Sequence, residues 1–336
     1  MKIGASCVCK VGQELMFFAD TMNIIFFVNL NDGRVRFMPG IPEEEFVSSY
    51  LVSDIIYAGG DFFFIPGNAK KMWKCDANFD NWKAISIEYP NIVQKFHSAQ
   101  LWEEKIYIFQ HNFPYSIVYN INTGEISNLE IGKNLIITDS CIVNYNIYCT
   151  VACECFIIKY DLKGNVKKIY TEEKMGFNAI YVKENKVIMA PRKGNKLYLL
   201  VDDFLKTIEI PKIDARGIIS YFDEIIVTSC TKYESIKIKK DKFYEYNCLN
   251  EKTKKIKNGS YLISKMLNSG ESVIIDSSCN LKIFDSQGKK VYDNEIVLSL
   301  EKCKKLQIYY KYNINKIFVL ENNNLNLNDY IMLIKG

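Results

Sequence analysis

Short apolar runs recur along the whole chain at a steady interval, and that recurrence limits the possible folds more than any other feature. The runs are Leu15–Ala19, Phe62–Ile65, Ile106–Phe109, Ile147–Val151, Val187–Ala190, Ile225–Thr228, Val273–Ile275 and Ile317–Leu320. Their spacing of about 43 residues is the length of one supersecondary unit in a repeat protein. Each run follows another strand-like stretch and a tight polar turn, as in SAQLWEEKIYIFQ and FNAIYVKENKVIMAP. A second pair of strands comes after it. In PYSIVYNINTGEISNLEI the strand Ser116–Asn120 leads through Asn122-Thr-Gly124 into Glu125–Ile131. Gly33, Gly124, Gly164 and Gly288 stand where such a hairpin needs a residue tolerant of positive φ.

The unit is therefore four antiparallel strands. Its second strands (FFFI, IYIF, VIMA) are apolar throughout, as when both faces of a sheet are covered. Its fourth strands alternate or turn polar, as in Val35-Arg-Phe and Ile208-Glu-Ile, which is expected where sheets splay apart toward a rim. No segment sustains apolar spacing of three and four over three turns, so a helical reading fails. An aromatic content of 13% agrees with strands. The expected fold class is all-β: a single closed β-propeller of four-stranded antiparallel blades over residues 1–336, with eight blades by this count and seven as the alternative. The last unit ends after its third strand. Met1–Gly4 is expected to donate the missing strand and remove the free edge.

The units resemble kelch-like and WD-like propeller repeats, particularly those of bacterial propellers with loops such as IPGNAKKMWKCD and YNINTGEI. The kelch Gly-Gly doublet occurs once, at Gly59-Gly60, and the Gly-His and Trp-Asp signatures of WD repeats are missing. The resemblance implies a fold and a use as a binding or interaction platform. It transfers no catalytic residue.

Charge and cysteine usage exclude several function classes. With 43 basic and 39 acidic residues the net charge is +4, which gives no general pull toward nucleic acid or an anionic membrane. No run reaches the roughly 18–20 apolar residues that span a bilayer, and the first residues lack the apolar core of a signal peptide. Eleven scattered cysteines fit reduced thiols, so a cytoplasmic location is expected. No Gly-rich phosphate loop, His-Glu-x-x-His or Gly-x-Ser-x-Gly is present. No cofactor, metal or catalytic residue is assigned.

Any site belongs where first strands begin and second strands end, at one mouth of the channel. With Trp102 facing Lys105, His97 is expected opposite Gln110 and diagonal to His111, bringing together the only two histidines. The same end of other blades contributes Asn68, Lys70, Tyr115, Asp139, Asn178, Arg192, Arg216, Lys232 and Tyr233. Arginine suits carboxylate or phosphate. The expected function is non-enzymatic binding, of a protein partner or a small anionic or glycan ligand at this mouth. The alternative is a lyase or hydrolase acting there on a sugar or peptide product. Cys7/Cys9 and Cys153/Cys155 invite a soft-metal reading, the second pair more than the first, but neither has the spacing of a zinc site. Glu43, Glu44 and Glu45 read as a solvated charge run, and Trp73, Trp82 and Tyr89 as the place to seek an exposed apolar patch.

Overall fold

In the computed structural model, residues 7–19, 23–44, 50–183, 185–201, 204–221, 224–229, 233–239, 242–247, 263–267, 270–275 and 280–295 are described. They form seven four-stranded antiparallel sheets, here numbered 1 to 7 in chain order, and every sheet takes its strands consecutively from the chain. The first strands are Cys7–Val11, Val52–Ala58, Phe96–Trp102, Ile137–Val143, Phe177–Lys183, Ala215–Tyr221 and Ile263–Met266. Each lies beside the first strands of the two neighbouring sheets, and that of sheet 7 lies beside that of sheet 1. The sheets therefore stand radially about a central channel, as the blades of a β-propeller.

The seven second strands each contain one of the apolar runs read from the sequence. They are the most buried elements. Phe17, Phe18, Phe63, Phe64, Ile108, Phe109, Cys149, Val151, Met189 and Ala190 are all nearly inaccessible. Alternate side chains of one strand enter different inter-sheet cores, because successive residues point to opposite faces. Phe18 and Phe64 meet between sheets 1 and 2, whereas Phe17 packs with Val273 and Ile283 between sheets 1 and 7. The fourth strands are largely exposed, as in Ile126–Leu129 and Val166–Tyr170.

The hairpins after the third strands repeat one device. Gly33, Gly124, Gly164 and Gly288 all have positive φ. The side chains of Asn29, Asn120, Asp161 and Asp285 accept the N–H two residues on, which mimics a backbone turn.

Eight units were expected, and seven sheets are described. The eighth run, Ile317–Leu320, lies outside the described residues, as does the proposed closing strand Met1–Gly4. Sheet 7 meets sheet 1 directly, with Val273, Ile275, Leu281 and Ile283 against Val8, Phe17, Phe26 and Val28. An apolar run marks one strand, whereas a blade needs four paired strands, so counting runs overcounts blades.

Sheet contacts near the mouth leave no room for a side chain at Gly176. There φ is +69°, and a Cβ would lie 2.0 Å from the Val151 carbonyl oxygen and 2.9 Å from the Cys153 nitrogen. Gly176→Ala is expected to lower stability by at least about 2 kcal/mol. Gly12→Ala, also at positive φ but facing open space, should cost roughly 1 kcal/mol. Thermal melts of the two variants check the difference.

Candidate functional site: the channel mouth

The first strands of sheets 2 to 6 each carry a β-bulge at the same place. The residues left out of the pairing are Ser53, His97, Thr138, Asn178 and Arg216. These five occupy the same place in the pairing of their first strands, where a bulge sets the extra residue out of the ladder. In sheets 4 and 5 the bulged side chain ties down the next sheet. Thr138 Oγ1 donates to the Phe177 carbonyl at 2.5 Å and Asn178 Nδ2 to the Ala215 carbonyl at 3.2 Å.

The residue after the bulge extends this belt. Asp54 Oδ2 accepts the Ala99 N–H at 3.1 Å, Asp139 Oδ2 accepts the Ile180 N–H at 3.1 Å, and the Ser98 and Ser140 hydroxyls bond at 2.6 Å. Lys265 of sheet 7 reaches past sheet 1 to form an ion pair with Asp54 of sheet 2. Burial alone would lower the Lys265 pKa, but the Asp54 carboxylate outweighs it and the net shift is upward. Burial raises Asp139 to about 7 against the opposing N–H bonds from Ile180 and Ser140.

His97 makes no such tie, and the Ser53 hydroxyl bonds the Ile65 carbonyl of its own sheet at 3.3 Å. Among the described residues no hydrogen bond reaches its imidazole. Its ring lies 5.6 Å from that of His111 and 6.4 Å from that of Tyr50. With Gln94 and Phe96 these side chains line a pocket of about 300 Å³, its open mouth included. Tyr50 and Gln94 hold φ of 55° and 50°, a conformation that large side chains rarely adopt and that is often concentrated at functional sites. Asn68 holds both in place. Its backbone N–H donates to the Tyr50 carbonyl at 2.7 Å, and its Oδ1 accepts the Gln94 N–H at 2.7 Å.

Both imidazoles are biased toward the uncharged form. Burial, then His111 and Lys265, lowers His97 to about 4. Burial also lowers His111; the hydrogen bond between its Nδ1 and Asn112 Oδ1, at 3.2 Å, partly opposes this, and the Arg192 charge reinforces it.

The structure separates the residues expected at the site. His97 and His111 come together as expected, although Phe96 rather than His97 pairs with Gln110, because the bulge shifts the register by one. Asn68 and Asn178 are scaffold. Asp139 has both carboxylate oxygens on backbone N–H groups. Exposed Arg192 acts on His111 and brings Nη1 to 3.8 Å from Cys153 Sγ. Lys70 is exposed, and its N–H bonds to Glu44 at 3.0 Å. The Tyr115 hydroxyl donates to Glu88, outside the pocket, and burial and that carboxylate push it up to about 12. Arg216 occupies a bulge and Tyr233 pairs with Thr228, while Lys232 lies outside the described residues.

Cys7 and Cys9 are buried in the core between sheets 1 and 2, and burial pushes the Cys9 thiol up to about 12. Cys153 and Cys155 are exposed, and no group of three ligating side chains occurs among the described residues. Glu44 is not simply solvated: it accepts from the Lys70 and Lys71 N–H groups and from Trp73 Nε1. Trp73 is core, and Tyr89 is exposed. The sequence reading missed Tyr50, Gln94, Asp54 and Lys265. Aligning YLVSD of the second unit with QKFHS of the third puts Tyr50 on Gln94 and Ser53 on His97.

No family model matches the chain, and no curated protein matches it. Solved structures do. A catalytically inactive virginiamycin B lyase from Staphylococcus aureus with quinupristin is 12% identical with a TM-score of 0.66, over 82% of this chain and 92% of that one. A streptogramin B lyase is 15% identical with a TM-score of 0.64, over 81% and 90%. The computationally designed protein Ika8 is 9% identical with a TM-score of 0.59, over 88% and 87%. The propeller fold is what these likenesses support.

Acid sensitivity should follow from the site. His97 has its pKa lowered in the fold, so the unfolded chain binds more protons between about 6.5 and 4 and stability falls as pH drops through that window. Asp139, with its raised pKa, acts oppositely and loses stability as pH rises from about 4 to 7. His97→Gln should remove on the order of 3 kcal/mol of acid destabilisation, read as the difference between variant and parent in urea midpoints at pH 7 and pH 4.

Proposed function

We propose that this protein is a non-enzymatic binding platform that takes a small anionic or glycan ligand at the channel mouth, between His97, His111, Tyr50 and Gln94. The observation that carries the reading is that His97, at the bulge that Thr138 and Asn178 use to tie the next sheet, turns its imidazole to a pocket instead. Ser53 at the same position bonds the Ile65 carbonyl of its own sheet. The half-buried imidazole of His97 makes no hydrogen bond to the described residues, so its nitrogens are open to a ligand. The imidazoles and the Gln94 amide supply donors and acceptors, while the ring of Tyr50 offers an apolar face suited to one sugar ring. The size favours a small ligand, since pockets for drug-sized molecules start near 300 Å³ without counting open solvent.

A second reading has one observation in its favour. Two unprotonated imidazoles in a pocket could act as bases, and the similar structures include lyases. Against it, both oxygens of Asp139, a carboxyl group of the belt, are committed to the Ser140 and Ile180 N–H groups.

Titration against a panel of monosaccharides and small carboxylates, followed by intrinsic fluorescence, tests the proposal. At least one member should bind, and His97→Ala and Tyr50→Ala should each weaken it tenfold or more. Mass spectrometry of quinupristin after incubation with the protein should find it intact; turnover that is lost in His97→Ala would establish the enzymatic reading instead.

A further inference from the structure

Among the described residues, the charges acting on the two imidazoles have one sign. Facing His97 are His111, Tyr50 and Lys265, and the groups acting on His111 are Arg192 and Asn112. Among the described residues no carboxylate lines the pocket. Asp54 is engaged by Lys265 and the Ala99 N–H, and Asp139 by two backbone amides. A bound metal ion would add positive charge to surroundings that already bias both imidazoles toward the uncharged form. An anion would relieve that field, but neutral imidazoles offer it too few donors. With Asn112 Oδ1 accepting from His111 Nδ1–H, Nε2 is the nitrogen left to take a proton.

We propose that the pocket captures a small oxyanion, a carboxylate or phosphate group, together with one proton that the His97–His111 pair takes from solvent. This rests on the binding reading above and commits it to one ligand chemistry. The proton adds to an imidazole lone pair, and no bond in the ligand breaks. The imidazolium then donates to the anion, the second imidazole and the Gln94 amide complete its shell, and Arg192 lies at the rim. A group of opposite charge at this distance favours the protonated form. Occupancy is thereby coupled to pH: the anion enters more tightly as pH falls toward 6, where the free His97 imidazole is held uncharged by burial.

Calorimetric titration of the full chain with inorganic phosphate and with acetate, each in two buffers of different ionisation enthalpy, reads the coupling. The expected result is uptake of close to one proton per ion at pH 6.5, with affinity rising severalfold to tenfold per pH unit between 7.5 and 6. His97→Gln and His111→Gln should abolish the uptake. Because the chain has only 2 histidines, imidazole ¹⁵N signals of the unmodified protein report the same event if a variant fails to fold; one ring should become protonated on adding the anion. Saturation by phosphate or acetate with no proton uptake would overturn the coupling. Binding unaffected by either substitution would place the anion elsewhere and overturn the assignment. A neutral sugar that binds where neither anion does would overturn the oxyanion and leave the binding reading standing. Absence of binding by all three would overturn both.

Discussion

The structure depends on how the inner edge of each sheet is satisfied. A first strand has a partner on one side only, so its outward N–H and C=O groups face the channel, where an unpaired group is costly. Neighbouring first strands lie side by side without forming a shared ladder. Side chains bridge the gap instead: Asp54 to the Ala99 amide, Asp139 to the Ile180 amide, Thr138 to the Phe177 carbonyl and Asn178 to the Ala215 carbonyl. Apolar packing between second strands supplies the bulk of the cohesion. The polar belt fixes the register of one sheet against the next.

A repeated belt makes any departure from it informative. In sheets 2 to 6 the bulge sets one residue of the first strand out of the pairing. In sheets 4 and 5 that residue ties the next sheet, and in sheet 3 it is His97, which is turned to His111. The strained backbones of Tyr50 and Gln94, both held by Asn68, set the pocket walls. The Lys265–Asp54 pair joins sheets 7 and 2 and also places a positive charge near His97. Structure and electrostatics of the mouth therefore come from the same residues.

Much of this fold was legible because the second strands are apolar on both faces and the hairpins need glycine; those two requirements leave marks at fixed places, such as Phe62–Ile65 and Gly124. The blade count was less legible, since a run such as Ile317–Leu320 carries no record of what pairs with it. At the site, the meeting of His97 and His111 followed from hairpin register alone, even though the bulge moves the pairing by one residue. The bulge itself leaves no local signature: Ser, His, Thr, Asn and Arg occupy it, and only alignment of the units reveals the shared position. Asp139 and Asn178 were read as ligand-facing because polar residues at a mouth can serve either a ligand or a neighbouring backbone, and here they serve the backbone. Lys265 was invisible because its partner lies 211 residues away.

Amide hydrogen exchange at Ala99 and Ile180 tests the central claim most directly. Both amides point away from their own sheets to a carboxylate of the preceding one. If the belt fixes the sheets, both exchange only through opening of the whole structure, as slowly as amides in the second strands. Exchange at the rate of a free sheet edge, with the second strands still protected, would contradict the account.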